Sequence, residues 1–459
     1  MSATTMVRLR DLGNWAGGNT PSKANAAYWT EGTVPWVSPK DMKVDEIASS
    51  QDLITELALT DRRISMVPEG SVLFVTRSGI LSHTFPVAIT KLPVTINQDL
   101  KALTPKAGVS PKYVAHAIRG ASQRILRECS KHGTTVASIE TSRLLDFEIP
   151  LVGFNEQIEI VAELEKQFSR LDEAVANLKR VKANLKRYKA AVLKDAVEGR
   201  LVPTEAELAR RDGRGFETGK QLLQRILETR RSQWSGRGQY KEPEAPIVTE
   251  LSVLPEGWVY ATAEQMCDPI ASGSTPAPAA MFSGDGEVPF LKVYNLTFDG
   301  SLDFTVKPTF VKRETHQGML ARSRSVPGDV LMNIVGPPLG KISIVSDLHP
   351  EWNINQAIVT FRTSAGLLNQ LLAYWLMSTS VLSRLERTAK ATAGQSNLQV
   401  STCRRLPLPI PPIAEQGRIV AEVDRRLSLV RGVETEVDAN LKRAQSLRQS
   451  TLQKAFTPS

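Results

Sequence analysis

The sequence predicts an α+β fold written as an internal repeat: two mixed α/β globular domains, each followed by a long coiled-coil helix. Three observations predict it. Short motifs recur in one order about 255 residues apart. Short apolar runs punctuated by Gly, Pro, Ser and Asn precede each long helix. Apolar residues then alternate at steps of three and four, as in a coiled-coil seam.

The repeat is read from six matches. Gly18-Asn19-Thr20-Pro21 returns as Gly273-Ser274-Thr275-Pro276, and Val34-Pro35-Trp36 as Val288-Pro289-Phe290. Val67-Pro68-Glu69-Gly70-Ser71-Val72-Leu73 returns as Val326-Pro327-Gly328-Asp329-Val330-Leu331, and Ile96-Asn97-Gln98 as Ile354-Asn355-Gln356. Pro150, then Glu156-Gln157, returns as Pro409, then Glu415-Gln416, and Ile160-Val161-Ala162-Glu163 as Ile419-Val420-Ala421-Glu422. The offset drifts only from 254 to 259 residues. So long a period denotes duplicated domains, since solenoid repeats run about 20–50 residues.

The domains expected are a globular domain at 1–150, a long helix at 151–200, a basic linker with short helices at 201–255, a second globular domain at 256–410 and a second long helix at 411–459. Ser71–Thr76, Val330–Val335, Ile342–Val345 and Ala357–Phe361 read as buried strands. Pro111–Arg127 and Leu367–Arg387 read as helices. The first long helix carries Val161, Leu164, Phe168, Leu171, Val175 and Leu178, then shifts phase to Val181, Leu185, Tyr188 and Val192. Asn155 is its expected N-cap, and Gly199 and Pro203 end it. The second carries Val420, Val423, Leu427, Val430, Val437, Leu441 and Ala444, interrupted by Glu434. Both are too long for one small domain to cover, so they are expected to pack on each other; the alternative is that each packs on its own globular part. In the linker, Leu222, Leu223, Ile226 and Leu227 form a short apolar stripe; Arg230-Arg231 and Gly236-Arg237-Gly238 make it basic. It is read as a solvated connector, with contact to phosphates as the alternative.

The chain has 459 residues and a formal charge of +9, a sign that favours a polyanionic partner. Cys129, Cys267 and Cys403 are far apart, so neither zinc nor a disulfide framework is expected, and a reducing cytoplasm is the default. The N-terminus lacks a signal-peptide core, and no run of about eighteen apolar residues predicts a membrane span.

Catalytic motifs are missing. Gly336-Pro337-Pro338-Leu339-Gly340-Lys341 is short by one residue for a P-loop and puts Ile342 where a magnesium-binding hydroxyl belongs. No N/D-P-P-Y/F motif, P-D…E-x-K cluster or G-x-S-x-G elbow occurs. His83, His116, His132, His316 and His349 show no metal spacing and are read as structural or surface residues. No cofactor is expected.

Two globular domains, each followed by a long helix, resemble the DNA specificity subunits of type I restriction-modification systems. The residues that carry the resemblance are Gly18-Asn19-Thr20-Pro21-Ser22 and its echo at Gly273, Val34-Pro35-Trp36-Val37, the Ile-Asn-Gln triplets and Leu408-Pro409-Ile410-Pro411-Pro412-Ile413-Ala414-Glu415-Gln416. Leu193-Lys194-Asp195-Ala196-Val197-Glu198-Gly199-Arg200-Leu201 and Leu254-Pro255-Glu256-Gly257-Trp258 resemble the junctions around that family's linker. The first copy departs from the pattern, with Phe147-Glu148-Ile149-Pro150-Leu151 in place of the fuller Pro-rich junction.

The resemblance implies two target recognition domains, each reading half of a split double-stranded DNA site. It implies antiparallel helices that set the gap, in a pseudo-twofold arrangement. Two methyltransferase subunits would dock and modify adenine, and motor-nuclease subunits would join for restriction; this chain would itself be non-catalytic. Arg77 and Ser78 in the first domain and Lys341 in the second follow the repeated strands and are candidate DNA contacts. Lys40, Lys43, Lys292 and Asn295 follow the Val-Pro-aromatic strands and are candidates too. Asn97-Gln98 and Asn355-Gln356 are identical in both copies, whereas readers of different half-sites should differ; they are read as structural hydrogen-bonders to backbone. The run from Lys179 to Lys189 holds six cations and no acid; it could contact phosphates or an acidic partner, or be a solvated face. The rival readings are a self-sufficient restriction or modification enzyme and a coiled-coil adaptor that binds no DNA.

Overall fold

The computed structural model describes residues 4–131, 136–236, 238–249, 251–284, 286–336, 338–393 and 397–457; His132, Arg237 and Pro337 lie outside them. The chain divides into two compact units, Met1–Val181 with Glu436–Ser459, and Lys182–Thr435.

In the first unit a five-stranded sheet runs in the order Gly13–Gly17, Leu100–Pro105, Val72–Val75, Val87–Thr90, Glu46–Ile47. Val72–Val75 is covered on both faces, which is why it reads as one unbroken apolar run. A smaller sheet holds Val34–Val37 between Asp52–Ile54, antiparallel, and Thr95–Ile96, parallel. Thr5–Arg8 pairs with Glu148–Leu151 just before the first long helix.

The second unit repeats the plan. Cys267–Ser272, Ile358–Thr363, Val330–Asn333 and Ile342–Ile344 form a sheet in that order. Val288–Leu291 pairs in parallel with Trp352–Ile354, as Val34–Val37 does with Thr95–Ile96. Val259–Thr262 pairs with Pro407–Ile410 before the second long helix. Each helix expected before a long helix is two helices: Pro111–Gly120 and Ser122–Cys129, which meet at Ala121 with ψ of 3°, and Asn369–Met377 and Thr379–Ala393, which meet at an extended Ser378.

The long helices are Phe154–Val197 and Ile413–Ala455. Asn155 is not the cap of the first: Gly153 O accepts from Gln157 N at 2.9 Å, which puts Asn155 inside the first turn. Alongside the expected antiparallel pairing, marked within each unit by Lys189 with Glu434 and Asp172 with Arg448, the globular cores take part of each apolar stripe. Val161, Leu164 and Phe168 are buried in the core of the first unit, together with Leu452 and Phe456 from the second long helix. Beyond them Leu171, Val175 and Leu178 are only half-buried. In the second unit Ile419, Val423 and Leu427 share a core with Val192, Leu193 and Ala196, and Glu434 meets Lys189 at 2.6 Å. The end of one helix therefore lies with the start of the other, and within this unit they run antiparallel. The globular cores take the ends of the helices because that is where strand-borne apolar surface is available.

The linker is not a solvated connector throughout. Glu205–Asp212 and Gly219–Ser232 are helices, each opened by a capping box, Thr204 with Glu207 and Thr218 with Gln221. Leu222 and Ile226 are buried in the second unit's core. The Glu205 side chain is buried between Arg214 (2.6 Å) and Arg418 (2.7 Å), which hold its carboxyl below the ordinary range against the opposing effect of burial. Its N–H donates to Glu415, itself pushed up by burial.

One buried glutamine fastens each globular part to its helix. Gln157 Oε1 accepts from Ser110 N (2.9 Å), and its Nε2 donates to Gly108 O (3.1 Å) and Val152 O (2.9 Å). Gln416 Oε1 accepts from Leu368 N (3.0 Å), and its Nε2 donates to Gly366 O (2.9 Å) and Pro411 O (3.3 Å). Replacing either by alanine strands buried backbone groups, so Gln157→Ala and Gln416→Ala should each cost about 2–4 kcal/mol of stability, read as a lower urea midpoint.

Candidate nucleic-acid interface

The most repeated residues build the scaffold beneath the candidate loops. A Cβ on Gly18 would stand 2.0 Å from Asn97 O, and one on Gly273 2.0 Å from Ile354 O, so only glycine lets these strands approach. Thr20 then donates its hydroxyl to Gln98 Oε1, and Thr275 to Gln356 Oε1. The Gly-x-Thr-Pro and Ile-Asn-Gln motifs are thus two halves of one joint, made twice. Asn97 Oδ1 accepts from Asp99 N (3.1 Å). In the second copy Ala357 stands where Asp99 does, and Asn355 Oδ1 is buried with no hydrogen bond among the described residues.

The first pair of candidate loops follows the Val-Pro-aromatic strands. Asp41 closes the first loop by accepting from Ser38 N (2.9 Å) and Gln51 N (2.9 Å). Lys40 lies 2.7 Å from Asp52, and that hydrogen bond raises its pKa. Lys43 is exposed, with no ion pair among the described residues. Asn295 requires a correction. Its Oδ1 accepts from Lys292 N (3.0 Å), its Nδ2 donates to Asp303 O (3.1 Å) and Val306 O (2.8 Å), and it is 1% exposed. A side chain so committed cannot reach a base edge. It does the work of Asp41, and the signal was present: Ser38-x-x-Asp41 aligns with Lys292-x-x-Asn295 at an offset of 254. Lys292 itself is half-buried.

The second pair follows the central strands. Arg77 is exposed, while its backbone bridges to Ser138. Ser78 caps the short turn Gly79–Ser82, its Oγ accepting from Ile80 N at 3.5 Å. In the second copy Val335 bridges to Asn397. Asn333 ties the turn from inside: its Nδ2 donates to Val335 O (3.1 Å) and Pro338 O (2.9 Å), and its Oδ1 accepts from Lys341 N (2.9 Å). Lys341 Nζ donates to Val293 O (3.2 Å) and lies 5.8 Å from the Phe298 ring, which brings it to the loop that starts with Lys292. Lys312, exposed and 5.9 Å from the Phe282 ring, is a cation the motifs did not point to, because it lies outside every repeated segment.

The titratable groups fit a scaffold. Burial lowers His116 to about 4 and raises Cys129 to about 11 and Cys403 to about 12. His316 is buried, with Nδ1 2.6 Å from Asn353 Oδ1. Among the described residues no group of three His, Cys, Asp or Glu could hold a metal ion, and no helix is long and apolar enough to cross a membrane.

Each unit is thus a set of mixed sheets anchored to a long helix and carrying cationic loops, a plan written twice in one chain. Residues 1–187 match the family model described as type I restriction modification DNA specificity domain. The chain is 42% identical over 158 residues to the type I restriction enzyme EcoR124I/EcoR124II specificity subunit of Escherichia coli, covering 34% of this chain and 39% of that protein. It is 31% identical over 173 residues to the MjaIX specificity subunit of Methanocaldococcus jannaschii, covering 37% and 38%. The EcoBI specificity subunit of Escherichia coli matches at 25% over 372 residues, covering 79% and 69%. The first two matches thus span under two-fifths of those relatives. A chain from a structure of type I R-M system assembly and conformational transition superposes with a TM-score of 0.66 at 18% identity, covering 99% of this chain and 97% of that one, a likeness of fold. Residues 1–187 thus carry the likeness to the type I restriction-modification DNA specificity domain, and the chain is similar to specificity subunits of such systems.

Asn295→Ala should destabilise the second unit by about 1–3 kcal/mol, since it strips the donors and acceptor that close its loop. Thermal unfolding measures it; an unchanged midpoint would return Asn295 to the list of free side chains.

Proposed function

We propose that this chain is the sequence-reading subunit of a type I restriction-modification complex, recognising a bipartite site in double-stranded DNA. Residues 1–150 and 256–410 are assigned as the two target recognition domains, 151–200 and 411–459 as spacer helices and 201–255 as the linker. The chain itself does no chemistry. Methyltransferase subunits supply adenine methylation and motor-nuclease subunits supply restriction, in the cytoplasm.

The observation that carries this reading is sameness below and difference above. The Gly-Thr-Gln joint and the glutamine clamp occur in both units, yet the loops they support differ. One presents Arg77 and Lys43; the other presents Lys341 and Lys292. Two copies of one frame with unlike cationic loops suit two unlike half-sites. Lys43 and Arg77 are the foremost phosphate contacts in the first domain, because both are exposed. Lys40 is partly neutralised by Asp52, and Ser78 contributes as a cap.

Sequencing the methylome of a host that carries the chain with its methyltransferase should reveal methylated adenines in a two-part site with a constant gap. Exchanging residues 1–150 for another member's should change one half only; a change in both halves, or a continuous site, would overturn the reading. In the assembled complex, Lys43→Ala and Arg77→Ala should each reduce the slope of log affinity against log salt by about one, with a similar loss on every sequence. Filter binding at several salt concentrations measures this, and unchanged slopes would remove both residues from the phosphate contacts.

A further inference from the structure

In the first unit, four charged side chains converge where the loop carrying Lys40 and Lys43 meets the helices. Arg119, at the end of the Pro111–Gly120 helix, has a side chain only 17% exposed. Its guanidinium donates to the carbonyls of Asp45 (3.2 Å) and Val87 (2.9 Å) and lies 3.0 Å from the Asp45 carboxylate. Arg448, on the second long helix, stands 3.6 Å from the other oxygen of Asp45 and 2.7 Å from Asp172 of the first long helix. The Phe168 ring lies under it at 4.5 Å, fixing the plane of the guanidinium. A cleft of about 520 Å³ opens beside the group.

Taken singly, half-exposed ion pairs contribute little to stability. Their geometry is the point. Arg119 engages a main-chain carbonyl of the loop, one of the neighbouring strand and a carboxylate, so it fixes backbone as well as side chain. Arg448 engages the same carboxylate from a different element. The loop end at Asp45 is therefore referred to the helices as well as to its own turn, which Asp41 closes. The second unit carries the matching acid: Asp299 follows Val288 by eleven residues, as Asp45 follows Val34. Burial works to raise its carboxyl, but hydrogen bonds from Ser301 and Thr297, with the charge of Arg431 on the second long helix, hold it below the ordinary range.

We propose that Arg119 and Arg448 are positioning residues, which grip Asp45 and thereby set the attitude of the loop that offers Lys40 and Lys43 to DNA. The proposal rests on that loop being part of the recognition surface. Base discrimination needs side chains held within about 0.5 Å of their productive place, so a loop gripped from two helices reads better than one held by its own turn.

The test uses the full chain with its methyltransferase partner and three variants, Arg448→Gln, Asp45→Asn and Arg448→Lys. Hydrogen exchange of backbone amides at 38–47 should quicken in the first two and stay near wild type in Arg448→Lys, with the unfolding midpoint unmoved. Preference for the true site over one altered in the first half should fall about tenfold in the first two, the size of one weakened base-pair contact, and recover in Arg448→Lys. If Arg448→Gln lowers the unfolding midpoint, Asp45→Asn, on an exposed side chain, makes the same comparison. Exchange at wild-type rates in both would overturn the grip. Faster exchange with unchanged preference would overturn the loop's part in reading while leaving the grip in place. A wild-type complex that prefers no site would instead overturn the proposed function, and the exchange data would still judge the grip.

Discussion

A helix start leaves N–H groups without partners, and a loop that leads into it leaves carbonyls. In both units a single buried primary amide answers both needs, since it donates and accepts from one planar group. Gln157 and Gln416 sit in the first turn of a long helix and bond to the backbone at or just before another helix, 47 or 48 residues earlier. A glutamate could not do this, because a carboxylate only accepts. The same junction is drawn tighter by Tyr113, whose hydroxyl donates to Pro150 O at 3.0 Å, and by Trp375, whose indole donates to Pro409 O at 2.7 Å. Different side chains reach the two prolines, but the carbonyl that receives them is the repeated one.

With the frame so held, the loops above it are free to differ. Asp41 and Asn295 show how far: both close a turn over three residues, one as a carboxylate that accepts from three donors, the other as an amide that also ties down the chain at Asp303 and Val306. The sheets differ in the same way. Glu46–Ile47 adds a parallel edge strand in the first unit, where the second has a lone bridge from Gly300 to Ser343. Such divergence costs the frame little, because none of these groups takes part in the glycine joint or the glutamine clamp. A duplicated frame with independent surfaces suits the proposed reading of two different half-sites.

Much of the fold was legible in the sequence, and the failures have local causes. Val72–Val75 and Val330–Asn333 were found because burial on both faces leaves an unbroken apolar run. The linker was misjudged because its charge was read as solvation. Its capping boxes were visible, but the burial of Leu222 and the pairing of Glu205 with Arg418 depended on partners more than 100 residues away in the chain. Asn295 was misread for a related reason: Asn is a base-reading residue type, and only its surroundings reveal that every polar atom is engaged. Arg448 and Asp45, about 400 positions apart, gave no sign of each other.

The sequence by itself determined the duplication, the strand and helix types and the residues of the frame. Those rest on periodicity and on repeated glycine, threonine and glutamine positions, which a chain carries in its own order. Tertiary structure alone decided which polar side chains stay available on the surface and which close a loop. It also decided that the long helices bury their ends in globular cores. Hydrogen-bond partners and apolar surface are matters of proximity in space, and folding brings together residues whose separation along the chain gives no hint of it.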